Sequence, residues 1–182
     1  MFSIEERVLE AIKEAIEKTN SFVYEKSLEN EENAGMGTTT ILTIVCAKQL
    51  FIGHVGDSRM YLIREGQIER ITTDHSYIEE LIKNGSLTRE EAVNHPKRNI
   101  ITQAIGYAED IQVDLYTCSI SNEDKFLLCT DGLTNMVEES EIVRMIDSQK
   151  SYEAISEDLV ASANEKGGED NITVIVFGEC LQ

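Results

Sequence analysis

Three aspartates stand where an apolar, strand-like segment meets a loop. Asp57 follows "LFIGHVG", Asp131 follows "KFLLCT", and Asp170 comes just before "NITVIVF". The end of a strand is a rigid place from which to aim a metal ligand, because the sheet fixes its position. Mg²⁺ and Mn²⁺ prefer carboxylate oxygen and keep several waters, so a few ligands far apart in sequence are enough to hold them. The pattern therefore favours a divalent-metal site.

Each of these motifs also has an ordinary structural explanation. The sequences "GDS", "TDG" and "EDN" are all typical of turns, which favour such residues for backbone reasons alone. From the residues alone, turn formation and metal binding both stay open. The sequence contains no G-x-S-x-G nucleophile motif and no phosphate-binding P-loop.

The three histidines are expected to form no ligand cluster. We predict that His54 packs inside a strand, that His75 begins or caps a helix, and that His95 with Pro96 marks a helix boundary. The four cysteines have no close spacing, which argues against a zinc site and against a disulfide framework. Three of them fall in strand-like apolar runs: Cys46, Cys118 and Cys129.

Composition limits the class of partner. The 182 residues carry 34 acidic and 16 basic side chains, for a net charge of −18. A surface this negative repels nucleic acid and anionic lipid, so we expect neither as a partner. The length predicts a single domain over 1–182. The acidic, amphipathic start of the chain is not typical of a signal peptide, and we expect a cytoplasmic protein.

Hydrophobic periodicity predicts an α+β fold with an antiparallel sheet and helices outside it. A long helix over 4–28 begins at a capping box formed by Ser3 and Glu6. Strands are predicted at 38–48, 50–56, 58–64, 68–72, 111–120, 125–130 and 171–178, the last of them buried. Residues 75–105 form a helical insertion, with a second capping box at Thr88 and a helix stop at Asn84-Gly85. Two further helices are predicted near 138–147 and 151–166.

Six segments, taken in order, resemble the metal-dependent protein phosphatases of type 2C, in their bacterial branch. They are "GMGTT" at 35–39, "HVGDSRMYLI" at 54–63, "ITTDHS" at 71–76, "NHPKRNIITQAIG" at 94–106, "LLCTDGLTNMV" at 127–137 and "GGEDNITVIV" at 167–176. The resemblance covers nearly the whole chain.

The resemblance implies a fold and a reaction. The family fold is a sandwich of two antiparallel sheets with helices on both outer faces, in α-β-β-α layers. Two Mn²⁺ or Mg²⁺ ions hold a water that attacks the phosphorus of phosphoserine or phosphothreonine in protein substrates. By resemblance, Asp131 and Asp170 are ligands of this metal pair, and Asp57 joins Asp131 at a third, weaker metal. Residues 75–105 correspond to a mobile flap, and a Ser/Thr kinase acting on the same targets is an expected partner.

The family pattern begins earlier than this sequence does. An N-terminal arginine that binds phosphate and an "Asp-Gly-x-Gly-Gly" motif that bridges the metals have no counterpart here, so we expect an N-terminally incomplete domain. Three interpretations stay open: part of a phosphatase, a catalytically inactive binding or regulatory module, or a fragment completed by a second chain, as a complementing piece or a swapped dimer.

Overall fold

The computed structural model describes residues 3–46, 48–92 and 95–178, and it contains two compact units. The first unit comprises the described residues of Met1–Ile44, Phe51–Asp57 and Thr73–Thr117. The second comprises those of Val45–Leu50, Ser58–Thr72 and Cys118–Gln182. The chain therefore contributes three separate stretches to each unit.

Helices and strands follow one another along the chain in a mixed order. They are α1 (Ile4–Glu29), β1 (Thr40–Cys46), β2 (Gln49–Val55), β3 (Arg59–Arg64), β4 (Gln67–Arg70), α2 (Tyr77–Lys83), α3 (Arg89–Ala92), β5 (Asp114–Ser119), β6 (Lys125–Cys129), α4 (Asp131–Thr134), α5 (Glu139–Ile146), α6 (Tyr152–Glu165) and β7 (Val174–Gly178). No helix within these described stretches combines the length and the apolar character that crossing a bilayer requires.

The long first helix confirms the prediction for the start of the chain. The Ser3 N–H donates to Glu6 Oε2 at 2.7 Å, and the Glu6 N–H donates back to Ser3 Oγ at 3.1 Å. This is the reciprocal capping box that the sequence predicted. Ile12 and Ile16 lie on the inner face of α1 and are almost fully buried.

The first unit builds its core between α1 and a three-stranded sheet of order β1-β2-β5. A Cβ atom added at Gly53 of β2 would lie 2.4 Å from Ile12 Cγ2, so the glycine lets α1 approach the strand closely. The buried cluster there contains Ile12, Ile16, Phe51, Val55 and Ile105. Strands β1 and β5 are shorter than the predicted 38–48 and 111–120.

Two short helices, α2 and α3, occupy the predicted helical insertion at 75–105. The Thr88 N–H donates to Glu91 Oε2 at 2.9 Å and the Glu91 N–H donates to Thr88 Oγ1 at 3.3 Å, which confirms the second capping box. Helix α2 ends at Lys83, before Asn84 and a left-handed Gly85, as predicted. The role of this segment as a mobile flap stays a prediction.

The second unit contains a four-stranded sheet of order β4-β3-β6-β7 in which every neighbouring pair is antiparallel. Strands β3 and β4 form a hairpin through Glu65 and Gly66, whose φ values of 52° and 71° are those of a primed turn. The sequence predicted this hairpin. Helices α5 and α6 cover one face of the sheet. The buried cluster includes Tyr61, Ile63, Leu127, Cys129, Leu133, Ile142, Ile146, Ile155, Leu159 and Val176.

The last strand differs from its prediction in length and in burial. Strand β7 covers Val174–Gly178 rather than 171–178, and Ile175 is 53% exposed. Successive side chains of a strand point to opposite faces, so the prediction of a buried strand holds for Val176 but is wrong for Ile175. The one-turn helix α4 at Asp131 was not predicted at all.

The described cysteines lie in the strands predicted for them. Cys46 is exposed in β1, Cys118 is half-buried in β5, and Cys129 is buried in β6, and within the described part of the chain none of the three forms a disulfide. The fourth, Cys180, lies outside the described residues.

Candidate metal centre

Hydrogen bonds in the second unit bring Asp131 and Asp170 together. The Thr130 N–H donates to the Thr173 carbonyl at 3.1 Å, and the Thr173 N–H donates to Thr130 Oγ1 at 3.0 Å. The Thr130 hydroxyl donates in turn to the Asn171 carbonyl at 3.0 Å. Asp131 follows Thr130 and Asp170 precedes Asn171, so these bonds bring the segment after β6 beside the loop that leads into β7.

Gly132 makes that approach sterically feasible. A Cβ atom at this position would lie 2.5 Å from the backbone oxygen of Asn171, which is closer than real Cβ contacts. Its φ is not in the left-handed region. Asp-Gly pairs are typical of turns, but Gly132 is needed here for a different reason. Its missing side chain allows two backbone segments to pack closely.

The Asp131 carboxyl is in a poor environment for its negative charge. Burial raises its pKa, and the negative charge of Asp170 raises it further. A hydrogen bond from Asn135 Nδ2 at 3.2 Å and the positive charge of Arg59 act in the opposite direction without cancelling the increase. A cation between the carboxylates would relieve this unfavourable interaction.

Arg59 is itself held in place inside the second unit. Its Nη1 atom donates to Thr134 Oγ1 at 3.1 Å and lies 3.5 Å from the Tyr61 hydroxyl. Burial raises the pKa of Tyr61 to about 12, although Arg59 opposes the increase, so the hydroxyl stays protonated at neutral pH. Arg59 thus connects β3 to the helix that begins at Asp131.

Asp57 lies in the first unit, two residues after the end of β2, and is half-buried. Gly56 before it has a φ of 112°, and a Cβ atom there would lie 2.3 Å from Thr39 Cγ2. Glycine is therefore required in "GDS" for backbone reasons. This requirement concerns Gly56 only, and the role of Asp57 as a metal ligand stays a prediction.

The expectation that the histidines form no cluster is wrong for two of them. His54 and His75 lie with their ring centroids 5.0 Å apart, and together with Asp114 they offer ligand atoms within 4.8 Å of one another. Both rings are buried, which confirms the prediction of a packed His54. His75 does not cap α2, because Ser76 is the N-cap and its Oγ accepts from the Glu79 N–H at 3.2 Å.

His95 with Pro96 was predicted to mark a helix boundary. Helix α3 ends at Ala92, and the His95 N–H donates to the Ala92 carbonyl at 3.1 Å. A turn then contains Pro96. Residues 93 and 94 lie outside the described part of the chain.

Asp114 is the member of the histidine group that the sequence did not indicate. Gln112 Nε2 donates to Asp114 Oδ1 at 3.0 Å, the Tyr116 hydroxyl donates to Oδ2 at 3.2 Å, and His75 Nε2 lies 3.1 Å from Oδ2. Burial alone would raise the pKa of Asp114, but the hydrogen bonds and the nearby His75 outweigh it and lower that pKa.

The sequence matches a known family over most of its length. The sequence model of the family described as protein phosphatase 2C matches residues 2–173. The chain belongs to the protein phosphatase 2C family. The resemblance inferred from the six segments is thereby confirmed.

Individual family members and their structures agree with this assignment. The serine/threonine phosphatase stp of Listeria welshimeri is 41% identical over 142 residues, which are 78% of this chain and 56% of that protein. The structure of the S. agalactiae serine/threonine phosphatase is 37% identical, with a TM-score of 0.91 over 98% of this chain and 74% of the other. A solved catalytic domain of the phosphatase PstP, in complex with two manganese ions, is 29% identical with a TM-score of 0.82 over 92% of this chain and 70% of the other.

Two conclusions follow from these likenesses. The predicted fold class, an α+β type 2C phosphatase-like fold with antiparallel sheet and helices, is confirmed. The chain spans a little over half the length of the Listeria relative.

Proposed function

We propose that this chain carries part of the metal centre of a metal-dependent protein serine/threonine phosphatase. The observation that supports the proposal most is the pairing of Asp131 with Asp170 at hydrogen-bonded strand ends, where the pKa of Asp131 is raised by burial and by the second carboxylate. A carboxyl whose pKa is raised by a neighbouring carboxylate is suited to a cation, which would offset both negative charges.

The donor set fits Mn²⁺ or Mg²⁺. Carboxylate oxygens are the ligands that these hard cations prefer, and the cations keep several waters, so two protein carboxylates are a sufficient start for a site. A bound divalent ion would lower the pKa of a water and offset the negative charge of a phosphate ester. The chain's own groups hold the carboxylates: Thr130 fixes the two backbone segments, and Asn135 orients Asp131.

The remaining parts of the proposal rest on family membership. The substrates would be phosphoserine or phosphothreonine in proteins, and a Ser/Thr kinase with its targets would be the partners, in the cytoplasm. The assignment of Asp57 to a third, weaker metal also rests on the family resemblance. The PstP structure with two manganese ions supports the metal identity for this family.

The test begins with Mn²⁺ binding, because binding does not depend on a complete reaction site. The parent and Asp131→Asn are titrated with Mn²⁺ and the free ion is followed by electron paramagnetic resonance. Asp131→Asn is expected to weaken binding at least about tenfold, the scale on which changes around a metal site act. Asp147→Asn is the matched control, since Asp147 lies in the same unit and binds Lys125 at 3.1 Å, and it should bind as the parent does.

Hydrolysis of an aryl phosphate in the presence of Mn²⁺ then tests the reaction. Turnover by the parent that Asp131→Asn removes would support a phosphatase. Metal binding without turnover would favour the inactive binding module, or a fragment that needs a second chain, and size-exclusion chromatography with a complementing N-terminal piece separates these two. Equal Mn²⁺ binding by the parent and Asp131→Asn would contradict the proposed site.

A further inference from the structure

Both backbone polar groups of Gly56, the residue before Asp57, are bonded to His75. The His75 N–H donates to the Gly56 carbonyl at 2.7 Å, and the Gly56 N–H donates to the ring atom Nδ1 of His75 at 3.2 Å. Gly56 itself has little freedom, because its φ is 112° and Thr39 occupies the space where a Cβ would lie. The strand end that presents Asp57 is therefore held on both of its hydrogen-bonding edges by one histidine.

The acceptor role of Nδ1 fixes the protonation of the ring. A ring nitrogen that accepts from an N–H carries no proton, so the neutral His75 ring has its proton on Nε2. That nitrogen lies 3.1 Å from Asp114 Oδ2, an ion-pair distance, although the two atoms do not have hydrogen-bond geometry. A metal bound at Nε2 would need this nitrogen free of its proton and would move the proton to Nδ1, against the Gly56 N–H. The tautomer thus argues against a metal among His54, His75 and Asp114.

The carboxylate of Asp114, 3.1 Å from His75 Nε2, is hydrogen-bonded in turn to a group that holds a second backbone position. The Tyr116 hydroxyl donates to Asp114 Oδ2 at 3.2 Å and accepts from the Thr73 N–H at 3.1 Å. Thr73 lies two residues before His75, so the segment from 73 to 75 is attached to β5 at both ends. All of these residues belong to the first unit.

Burial makes the arrangement stiff. His75 is 8% exposed, and hydrogen bonds in such surroundings are stronger and cost more to break than those in water. Removing the His75 ring would leave the buried Gly56 N–H without its acceptor, and an unsatisfied buried donor destabilises the fold.

We propose that His75 is a positioning residue for Asp57, that its hydrogen bonds clamp the Gly56 backbone, and that its contact with Asp114 is an electrostatic one and not part of a metal site. The proposal rests on the proposed role of Asp57 as a metal ligand. It assigns His75 no contact with substrate or metal.

The first measurement is the tautomer of His75 in the parent protein, by long-range ¹H–¹⁵N correlation of the imidazole nitrogens. We expect the neutral form with the proton on Nε2, unchanged by an equimolar amount of Zn²⁺. A proton on Nδ1, or Zn²⁺-induced shifts of the His54 and His75 ring nitrogens together, would overturn the clamp. This measurement uses the parent alone, so it stays decisive if a His75 variant does not fold.

The second measurement is Mn²⁺ binding near Asp57, followed by paramagnetic broadening of the Asp57 amide signal. His75→Ala should weaken the Asp57-dependent binding about tenfold, as loss of an outer partner of a metal ligand does. His75→Asn, whose Oδ1 can accept from the Gly56 N–H, should recover most of it. His95→Ala is the matched control, because His95 Nδ1 also accepts a backbone N–H, that of Lys97 at 3.2 Å, and it should bind as the parent.

The variant Asp57→Asn separates two kinds of failure. If Asp57→Asn removes the broadening and His75→Ala leaves it intact, the positioning role is wrong while the Asp57 ligand survives. If Asp57→Asn binds Mn²⁺ as the parent does, the prediction for Asp57 is wrong, and the positioning proposal falls with it.

Discussion

Two buried or half-buried carboxylates, Asp131 in the second unit and Asp114 in the first, are held in opposite ways. Asp131 lies beside a second carboxylate, and its pKa is raised by burial and by Asp170. Asp114 is also desolvated, but the nearby His75 and the hydrogen bonds from Gln112 and Tyr116 more than compensate, and its pKa is lowered. One carboxylate is left in need of a cation, and the other is satisfied by its protein neighbours.

The difference shows that closeness of metal-ligand residue types is a weak indicator of a metal site. The His54–His75–Asp114 group has the more compact set of ligand atoms, within 4.8 Å of one another. Asp114 nevertheless accepts hydrogen bonds from Gln112 and Tyr116, and His75 Nδ1 accepts one from the Gly56 N–H, which places the His75 proton on the nitrogen that a metal would need. At Asp131 the nearby charge of Asp170 raises the pKa of the carboxyl, so the electrostatics there favour an added positive charge.

The largest effect is expected from Gly132→Ala, which would break the carboxylate pair. The new Cβ would meet the Asn171 backbone oxygen at 2.5 Å, and forced overpacking of this kind costs about 1–3 kcal/mol. We expect the free energy of unfolding, measured by denaturant titration, to fall by this amount. We also expect Mn²⁺ binding to be lost. Gly85→Ala, at a φ of 77° with nothing within 4 Å, is the control and should cost about 1 kcal/mol with Mn²⁺ binding intact. Normal Mn²⁺ binding by Gly132→Ala would contradict the packing argument.

A smaller effect is expected from Asp114→Ala, which would remove the carboxylate that accepts hydrogen bonds from its neighbours. It leaves the donors on Gln112 and Tyr116 without their acceptor and His75 without its nearby carboxylate, at a cost of about 1–2 kcal/mol for partly buried groups. The loss should be the same with and without Mn²⁺ in urea unfolding. A loss that appears only when Mn²⁺ or Zn²⁺ is present would indicate a metal at Asp114 instead.

Asp131→Asn is expected to raise the free energy of unfolding of the metal-free protein, whereas Asp114→Ala lowers it. Removing the charge beside Asp170 should stabilise the metal-free protein by about 0.5 kcal/mol, the scale of a solvent-screened charge pair. With Mn²⁺ in excess the parent should become more stable than Asp131→Asn, because only the parent gains the free energy of Mn²⁺ binding. Thermal unfolding with and without Mn²⁺ measures both, and a metal-free variant less stable than the parent would argue against repulsion at this site.

The smallest expected effect concerns how stability depends on pH, which should differ in sign between the contributions of Asp131 and Asp114. The pKa of Asp131 is raised above its ordinary 3.8, so its ionisation costs stability as pH rises through that raised value, and the advantage of Asp131→Asn should vanish below pH 3.8. The pKa of Asp114 is lowered from 3.8, so its contribution is present above that pH and is lost as pH falls through the lowered value. Urea unfolding of the parent, Asp131→Asn and Asp114→Asn at several pH values checks this, and parallel profiles would refute it.

The sequence predicted most elements because their signals are local. Capping boxes at Ser3 and Thr88 and the hairpin at Glu65-Gly66 depend on residues a few positions apart, and the structure confirms all three. The pairing of Asp131 with Asp170 depends on strand ends about 40 residues apart, and no periodicity indicated it. Only the resemblance to a family placed those residues in one site.

The missed residues show which signals were available. Gln112, Asp114 and Tyr116 alternate with Val113 and Leu115, which is the period of a strand with one polar face. That pattern predicts three polar side chains on one side but not the histidine they face. Likewise, the partner of His75 could not be found from sequence, because Gly56 contributes only its backbone.

The hydrogen bonds that join Thr130 to Asn171 and Thr173 also bear on the order of folding. The bond from Thr173 to Thr130 spans 43 residues, and α5 and α6 lie between its two ends. Contacts of such long sequence separation form slowly, because closing the loop costs entropy before the contacts are gained. The two carboxylates would therefore meet late, when the last strand joins the sheet, and Mn²⁺ affinity would report that the final stage of folding is complete.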